Sequence, residues 1–431
     1  MMNLRHLLKK SKSIAKFLPY ILIGFSNGLT MLSLYSIDIW LAENGVSKTM
    51  IGVMAFAKIP YTFKMFFIPI TENYNILYKI FPNIPQKKSW VLFSEVVILT
   101  TFGLISQIHN PNENLLIIFL LIFALKFGTS VLHIISYSFE TDGVKSENFA
   151  NVAAAKLFGY RLGLLISGAG VMSISSFFSW KIAFLSIGIL SFLSGGIFLR
   201  LKEPKIKTLT KYSVLNKFIA QRFKSTFAQI FAKFLLFPIR ITSKDQNFFS
   251  NLLIIFFIQA GSQMISKMAK ILYLEVGFSI FDIATIVNCF GTIVTIFGGI
   301  FAPKLIKKIG NKNTILVAIA ANCAVPGLLY LLLNFFQMSG SLFVLIILIK
   351  NFSTGIIMSS FLAFLYKTSN ASIFPTCIYT FFWGIYSVSS LIFSSISGIF
   401  VDYFGWNLFF LASTLLEIFA IFIISKKQIN F

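Results

Sequence analysis

Acidic residues are scarce in this 431-residue chain: 14 Asp and Glu stand against 37 Lys and Arg, and charged residues make up only 12%. Soluble domains carry roughly 25% charged residues, so an ordinary water-soluble enzyme is excluded. Cysteine is nearly missing too. Cys289, Cys323 and Cys377 each lie in an apolar run, with no Cys or His at metal-ligand spacing, which leaves neither a zinc site nor a disulfide framework. His6, His109 and His133 are scattered, so no metal site is expected, and no other cofactor is indicated. No G-x-x-x-x-G-K-[ST] loop occurs, which argues against ATP drive within the chain. No polar segment is long enough to fold as a basic soluble domain, so the net charge of +23 does not mark a nucleic-acid partner. Behind the basic stretch 1–16 the apolar run is too long for a signal peptide and lacks an A-x-A-like cleavage site, so a retained tail is expected.

What the chain has in abundance is apolar sequence, 57% of its residues. Stretches of about 18 or more such residues recur, each long enough to cross a bilayer core of roughly 30 Å as a helix. The pattern predicts twelve spans: 17–41, 48–70, 89–108, 114–138, 150–174, 179–200, 247–273, 280–301, 313–335, 341–366, 372–400 and 405–425. The predicted architecture is an all-α integral membrane protein. Its parts are a tail (1–16), a six-helix half (17–200), a basic linker (201–246), a second six-helix half (247–425) and a short tail (426–431). Lysines gather in the even-numbered loops, at Lys79, Lys87 and Lys88, in the linker, and at Lys304, Lys307, Lys308 and Lys312. That bias places both termini and the linker in the cytoplasm. From Arg200 to Lys244 eleven basic residues face a single acid, Glu203. Within this stretch, Val214 to Leu235 repeats apolar residues at a helical period with lysines between them. It reads either as a basic amphipathic helix along the inner leaflet or as a tether with one greasy side.

The two halves repeat each other. Glu43-Asn-Gly45-Val46-Ser47 after span 1 matches Glu275-Val-Gly277-Phe278-Ser279 after span 7. Trp180 before span 6 matches Trp406 before span 12, each followed four residues on by a Phe-Leu pair. Lys126 in span 4 matches Lys350 in span 10. The matches relate span n to span n+6 in the same direction. This is the parallel repeat of transporters built from two six-helix halves, whose halves rock about a shared mid-membrane interface.

Charged groups at mid-span are costly and point to function. Lys126 and Lys350 sit about 18 and 14 Å into their helices at 1.5 Å per residue. They are read as cavity cations, with structural lysines bonded to backbone carbonyls as the alternative. Gln259, Gln263, Lys267 and Lys270 fall within an arc of about 80° on span 7, flanked by Ser262 and Ser266. Lys270 is close enough to the span's end to snorkel. Arg161 lies roughly 16 Å into span 5, suited either to a solute carboxylate or to a structural ion pair. Asp38, Glu95 and Glu417 are candidate proton carriers, with structural partnership to a lysine as the alternative and an interfacial position for Asp38. Asp282 opens span 8 as an ordinary first-turn acid. A cationic and amide-rich cavity favours an anionic, hydrogen-bonding solute.

Several blocks resemble the AmpG-type muropeptide permeases of the major facilitator superfamily. They are Gly24-Phe25-Ser26-Asn-Gly28-Leu29, Trp40-Leu41-Ala42-Glu43, Pro60-Tyr61-Thr62-Phe-Lys64, Gly159-Tyr160-Arg161-Leu162-Gly163-Leu164, and Ser397-Gly398 with Val401-Asp402. The resemblance runs nearly end to end. It implies the facilitator fold, with spans 1, 4, 7 and 10 lining the cavity and Gly28, Tyr61, Lys64, Gly159, Gly163 and Asp402 in conformational motifs. It also implies proton-driven uptake of anhydro-sugar muropeptides across a Gram-negative inner membrane for peptidoglycan recycling. A monomer in the lipid bilayer and no enzyme activity are expected. The sequence departs from the family where span 4 ends in His133-Ile-Ile-Ser-Tyr-Ser-Phe-Glu140, where span 7 has Gln259 and Ser262, and where the acid after span 2 is displaced to Glu72. The alternatives are a facilitator or exchanger for another organic anion, and a membrane enzyme or transport-dead sensor.

Overall fold

The computed structural model describes residues 18–31, 33–141, 149–201, 248–335, 340–370 and 375–426. The N-terminal tail, the linker from residue 202 onward with its proposed amphipathic helix, and the last five residues lie outside the described residues. Among those described, every regular element is helical. The first segment comprises α1 (Leu18–Leu29) and α2 (Ser33–Glu43). Then come α3 (Lys48–Val53), α4 (Ile59–Thr62) and α5 (Ile68–Asn73), linked by 3-10 turns. The rest of the first half is α6 (Gln86–Ile105), α7 (Leu115–Thr141), α8 (Phe149–Leu165), α9 (Val171–Phe177) and α10 (Trp180–Arg200). The second half has α11 (Phe248–Phe257), α12 (Ala260–Glu275), α13 (Ile280–Asp282), α14 (Gly291–Ile309), α15 (Asn311–Phe335), α16 (Gly340–Asn370) and α17 (Pro375–Lys426). Nine helices among the described residues are long and apolar enough to cross a membrane.

The segments follow the predicted spans, with four differences. Span 1 is interrupted after Thr30, where Met31 N–H turns back to the Gly28 carbonyl. Span 2 is a string of short helical turns, because Pro60 and Pro69 remove the amide donors that a continuous α-helix needs. Span 7 is interrupted between α11 and α12, with Gln259 at φ −135°. Gly261 and Ser262 follow directly, a Gly/Ser pair of the kind at which helices kink. Spans 11 and 12 form one run, α17, bent at Gly405, whose φ of 74° an L side chain rarely adopts. Spans 5 and 8 also carry π-helical stretches, Ile166–Gly170 and Ile283–Phe290.

The hairpin repeat is visible in the backbone. Gly45 (φ 75°) and Gly277 (φ 99°) both turn through the left-handed region. Each is followed by a serine N-cap: Ser47 accepts from Met50 N–H, and Ser279 forms a capping box with Asp282.

The chain divides into two compact units: Met1–Trp40 with Ala57–Phe223, and Leu41–Phe56 with Lys224–Phe431. In lipid no hydrophobic force draws helices together, so close packing and hydrogen bonds must do so. In the first unit Gly24 and Gly28 of α1 face Gly159 and Gly163 of α8; a Cβ at any of them would collide with backbone of the other helix. In the second unit Gly298 of α14 and Gly355 of α16 make the same kind of approach, as do Gly52 of α3 and Gly398 of α17. The second unit's core gathers Ile254, Ile319, Ile357, Phe361 and Phe364. Large apolar side chains also point outward, as on α7 at Leu116, Ile117 and Leu120, while Lys126, Thr129, Ser130 and Ser136 on the same helix are buried. That inside-out polarity is what a helix needs when its surroundings are lipid.

A Gly163→Leu substitution is expected to force α8 away from α1 and cost on the order of 2 kcal/mol by overpacking. Thermal unfolding in detergent should report a lowered midpoint, with a smaller effect for Gly103→Leu, which meets open space.

Candidate functional site

At the interruption of span 1, about 18 Å from the start of α1, backbone carbonyls take side-chain donors, Gly28 O beside its bond from Met31 N–H and Asn27 O beside one from the Thr30 hydroxyl. Three side chains from other helices answer them. The Lys126 ammonium donates to Thr30 O at 2.8 Å, His133 Nε2 lies 3.3 Å from Asn27 O, and the Ser167 hydroxyl donates to Gly28 O at 3.2 Å. A carbonyl only accepts, so His133 carries its proton on Nε2, and in the neutral ring Nδ1 accepts from the Tyr61 hydroxyl at 3.3 Å. The Ser136 hydroxyl donates to the Asn27 side chain at 3.0 Å, and the Lys64 ammonium stands 4.5 Å from the centre of the Tyr61 ring. Lys126 is only 3% exposed, and Asp38 and Lys58 are close enough to act on it electrostatically.

In the second unit the interruption of span 7 is met from α17. The Ser389 hydroxyl bonds to Phe256 O. The Tyr386 hydroxyl donates to Gln259 Oε1 at 2.6 Å and accepts from Gln263 Nε2 at 2.9 Å. The Ser390 hydroxyl donates to Gln263 Oε1 at 3.0 Å. Among the described residues Gln259 Nε2 is buried with no hydrogen-bond acceptor, a donor left over for something else.

Each unit also holds a buried glutamate at a helix junction. Glu95 on α6 accepts from the Ser26 hydroxyl (3.1 Å) and the Ser191 hydroxyl (2.9 Å), one per oxygen. Glu417 on α17 accepts from Asn322 Nδ2 at 2.8 Å and has the Lys350 ammonium as its electrostatic neighbour. A third polar group lies at the start of α3, the end of α12 and the Gly405 bend of α17. Lys48 pairs with Glu275 at 2.6 Å, Trp406 Nε1–H donates to Glu275 at 2.8 Å, and Asp402 accepts from Thr49 N–H at 2.6 Å in the first turn of α3.

The predicted site residues are therefore distributed as follows. Lys126 reaches a backbone carbonyl, the geometry set beside the cavity reading. Gln259 and Gln263 share Tyr386. Lys267 is buried, and Lys270, expected to snorkel, is instead buried and bonded to Asn288 Oδ1 at 2.7 Å. Asp38, for which an interfacial position was open, is 4% exposed and lies near Lys126. Arg161 is half-buried on α8, and among the described residues no hydrogen bond or ion pair joins it to the Lys126 cluster. Gly28, Gly159 and Gly163 make the α1–α8 contact, Tyr61 and Lys64 flank His133, and Asp402 caps α3. Sequence reasoning missed His133, Tyr386 and Asn322. His133 stands seven residues beyond Lys126, two turns along the same helical face, and that spacing was the available signal.

The model of the Major Facilitator Superfamily matches residues 17–388. "Putative transporter AmpG 4" of Rickettsia felis is 25% identical over 416 residues, covering 95% of this chain and 96% of its own length. "Putative transporter AmpG 1" of Rickettsia bellii is 26% identical over 410 residues, covering 94% and 96%. Together with the superfamily match, this similarity marks a divergent AmpG-type protein. Among solved structures, a D-xylose–proton symporter superposes with a TM-score of 0.68 at 12% identity, covering 96% of this chain and 97% of its own. The nucleoside transporter NupG gives 0.64 at 15% identity, covering 96% and 99%. These likenesses establish the fold.

A Tyr386→Phe substitution would strip Gln259 Oε1 of its donor and Gln263 Nε2 of its acceptor inside the second unit. Leaving such groups unpaired costs about 1–3 kcal/mol, and the expected result is a lowered unfolding midpoint in detergent.

Proposed function

Because this chain belongs to the major facilitator superfamily, we propose that it is a secondary active transporter importing muropeptides for peptidoglycan recycling. It works by proton-coupled alternating access in a bacterial inner membrane, as a monomer with both termini cytoplasmic. The observation that carries the reading is that spans 1 and 7 are both interrupted, and that each interruption is bordered by polar side chains from other helices. Paired interruptions at corresponding places in two repeats are where transporters bind solute. The start of a resumed helix, α2 or α12, also presents free amides and the positive end of a dipole, which favour an anion.

The solute's peptide carboxylates would meet Lys126, Lys350 and Lys267, with Arg161 as a further cation. Its amides and sugar hydroxyls would meet Gln259 and Gln263, where Gln259 Nε2 is still unpartnered among the described residues. Asp38, Glu95 and Glu417 are the carboxyls available for coupling. Glycines 28, 159 and 163 let α1 and α8 move as one packed pair, and Tyr61, Lys64 and Asp402 hold segments adjoining the hairpin between spans 1 and 2. The end-to-end similarity to proteins named as AmpG transporters supports the muropeptide. A facilitator or exchanger for another organic anion is the second reading. It is favoured by the uncharged Gln259 and Ser262 on span 7, where the sequence departs from the AmpG-type pattern.

The test is uptake of a labelled anhydro-muropeptide, beside a panel of organic anions, into energised vesicles with and without a proton-gradient collapser. Accumulation that collapses with the gradient is expected. Lys126→Gln combined with Lys350→Gln should reduce uptake about tenfold or more, the scale of losing charge-assisted hydrogen bonds. Unchanged uptake would make both lysines structural. Product formation without accumulation would point to an enzyme, and binding without either to a sensor.

A further inference from the structure

We propose that Glu417 is the proton carrier: it holds an exchangeable proton on Oε2, donates it to Asn322 Oδ1, and by taking up that proton frees Lys350 to bind an anion. The inference deepens the transport reading and rests on its proton coupling.

The buried acids of the two units invite a direct comparison. Ser191 and Glu417 stand eleven residues beyond Trp180 and Trp406 respectively, so they occupy equivalent places in spans 6 and 12. Their partners, Glu95 and Asn322, lie on the equivalent spans 3 and 9. The acid has thus changed helix between the repeats: Glu faces Ser in one unit, and Asn faces Glu in the other. In both, a glycine makes the room. A Cβ at Gly195 would run into the Glu95 carboxyl, and one at Gly261 would stand 2.7 Å from Glu417 Cγ.

The hydrogen bonding differs in the respect that matters. Each oxygen of Glu95 receives a hydroxyl donor, so the carboxylate is satisfied as it stands. Glu417 receives one donor, Asn322 Nδ2, on Oε1. Among the described residues its Oε2 has no partner, and neither does Asn322 Oδ1. Both residues are 2% exposed, so bulk water does not supply the missing donor. Two orphaned acceptors on two residues already in contact are a heavy cost for a buried pair. One proton removes both faults. With the proton on Oε2, the acid O–H donates to Oδ1 while Nδ2–H still donates to Oε1, which closes a cyclic acid–amide pair.

The groups around the acid make that proton exchangeable. From α16 the Lys350 ammonium acts on Glu417 electrostatically; on α15, beside Asn322, the Cys323 thiol lies within range of the Glu417 charge; α12 meets the acid with the bare backbone of Gly261. When the proton leaves, the resulting negative charge lies within electrostatic range of Lys350. When the proton returns, that charge is gone and the ammonium's field is available to a solute anion. Proton and anion thus bind in support of each other, and by linkage the effect is reciprocal.

The test uses the full-length protein in lipid, without solute. Infrared difference spectra across pH, on protein with labelled glutamate, should show a protonated-carboxyl carbonyl band. The band should vanish in Glu417→Gln and persist in Glu95→Gln. Asn322→Ala should displace its frequency, and Lys350→Met should move the pH at which it is lost. If Glu417→Gln does not fold, the Asn322 and Lys350 variants, which keep the acid, decide the matter. A band that survives Glu417→Gln, disappears in Glu95→Gln, or ignores both neighbours would overturn the assignment. Because no solute is present, failure of muropeptide uptake leaves this result standing. Proton-driven uptake without the band would remove Glu417 while keeping the transporter.

Discussion

A backbone carbonyl released by a broken helix inside a membrane protein has no water to turn to and must find a donor in the protein. That constraint organises both units. Thr30 in the first unit and Phe256 in the second have carbonyls at the interruptions of spans 1 and 7 that receive a side chain from a distant helix, while Gly28 and Asn27, already met by Met31 N–H and the Thr30 hydroxyl, receive a second donor from one. The cost of burying Lys126 is offset because its charge ends on such a carbonyl, with Asp38 nearby. The same bond can hold the break open and keep an ammonium poised near it. A structural role for Lys126 and a part in binding are therefore compatible.

The two repeats solve shared problems with different residues. Helix contacts close enough for function are made by glycine in both units, at Gly28 with Gly163 and at Gly298 with Gly355. These pairs replace the hydrophobic drive that lipid withholds. At the break itself the donors come from a lysine, a histidine and a serine in span 1, whereas a tyrosine and serines meet span 7. The buried acid sits on span 3 in one unit and on span 12 in the other. Divergence of this kind leaves one glutamate with a hydroxyl on each oxygen and the other with an oxygen that has no partner among the described residues.

Membership of the superfamily explains the architecture, and the solved transporters of xylose and nucleosides share it at 12–15% identity. At that distance the fold carries over and the solute does not, because specificity resides in side chains grafted onto the frame. The chemistry of the solute therefore has to be argued from Lys126, Lys350, Gln259 and Gln263 themselves.

Much of this was legible in the linear chain. Apolar run length located the helical segments, since crossing a bilayer depends on local composition alone. The Gly45/Gly277 turns and their serine caps were written in matched motifs, because turn and cap chemistry is also local. The AmpG-type blocks pointed to the family, and the polar positions Lys126, Gln259, Gln263, Glu95 and Glu417 could be picked out as oddities in greasy surroundings. Which group each one meets could not. Lys126 and Thr30 are 96 residues apart, Gln259 and Tyr386 are 127 apart, and Asn322 and Glu417 are 95 apart. The break in span 7 is announced only by Gly261-Ser262 just beyond it. Hydropathy records how much a helix dislikes water, whereas a hydrogen bond depends on distance and direction between helices. Only the packed tertiary structure could say that one buried acid is fully partnered and the other is not.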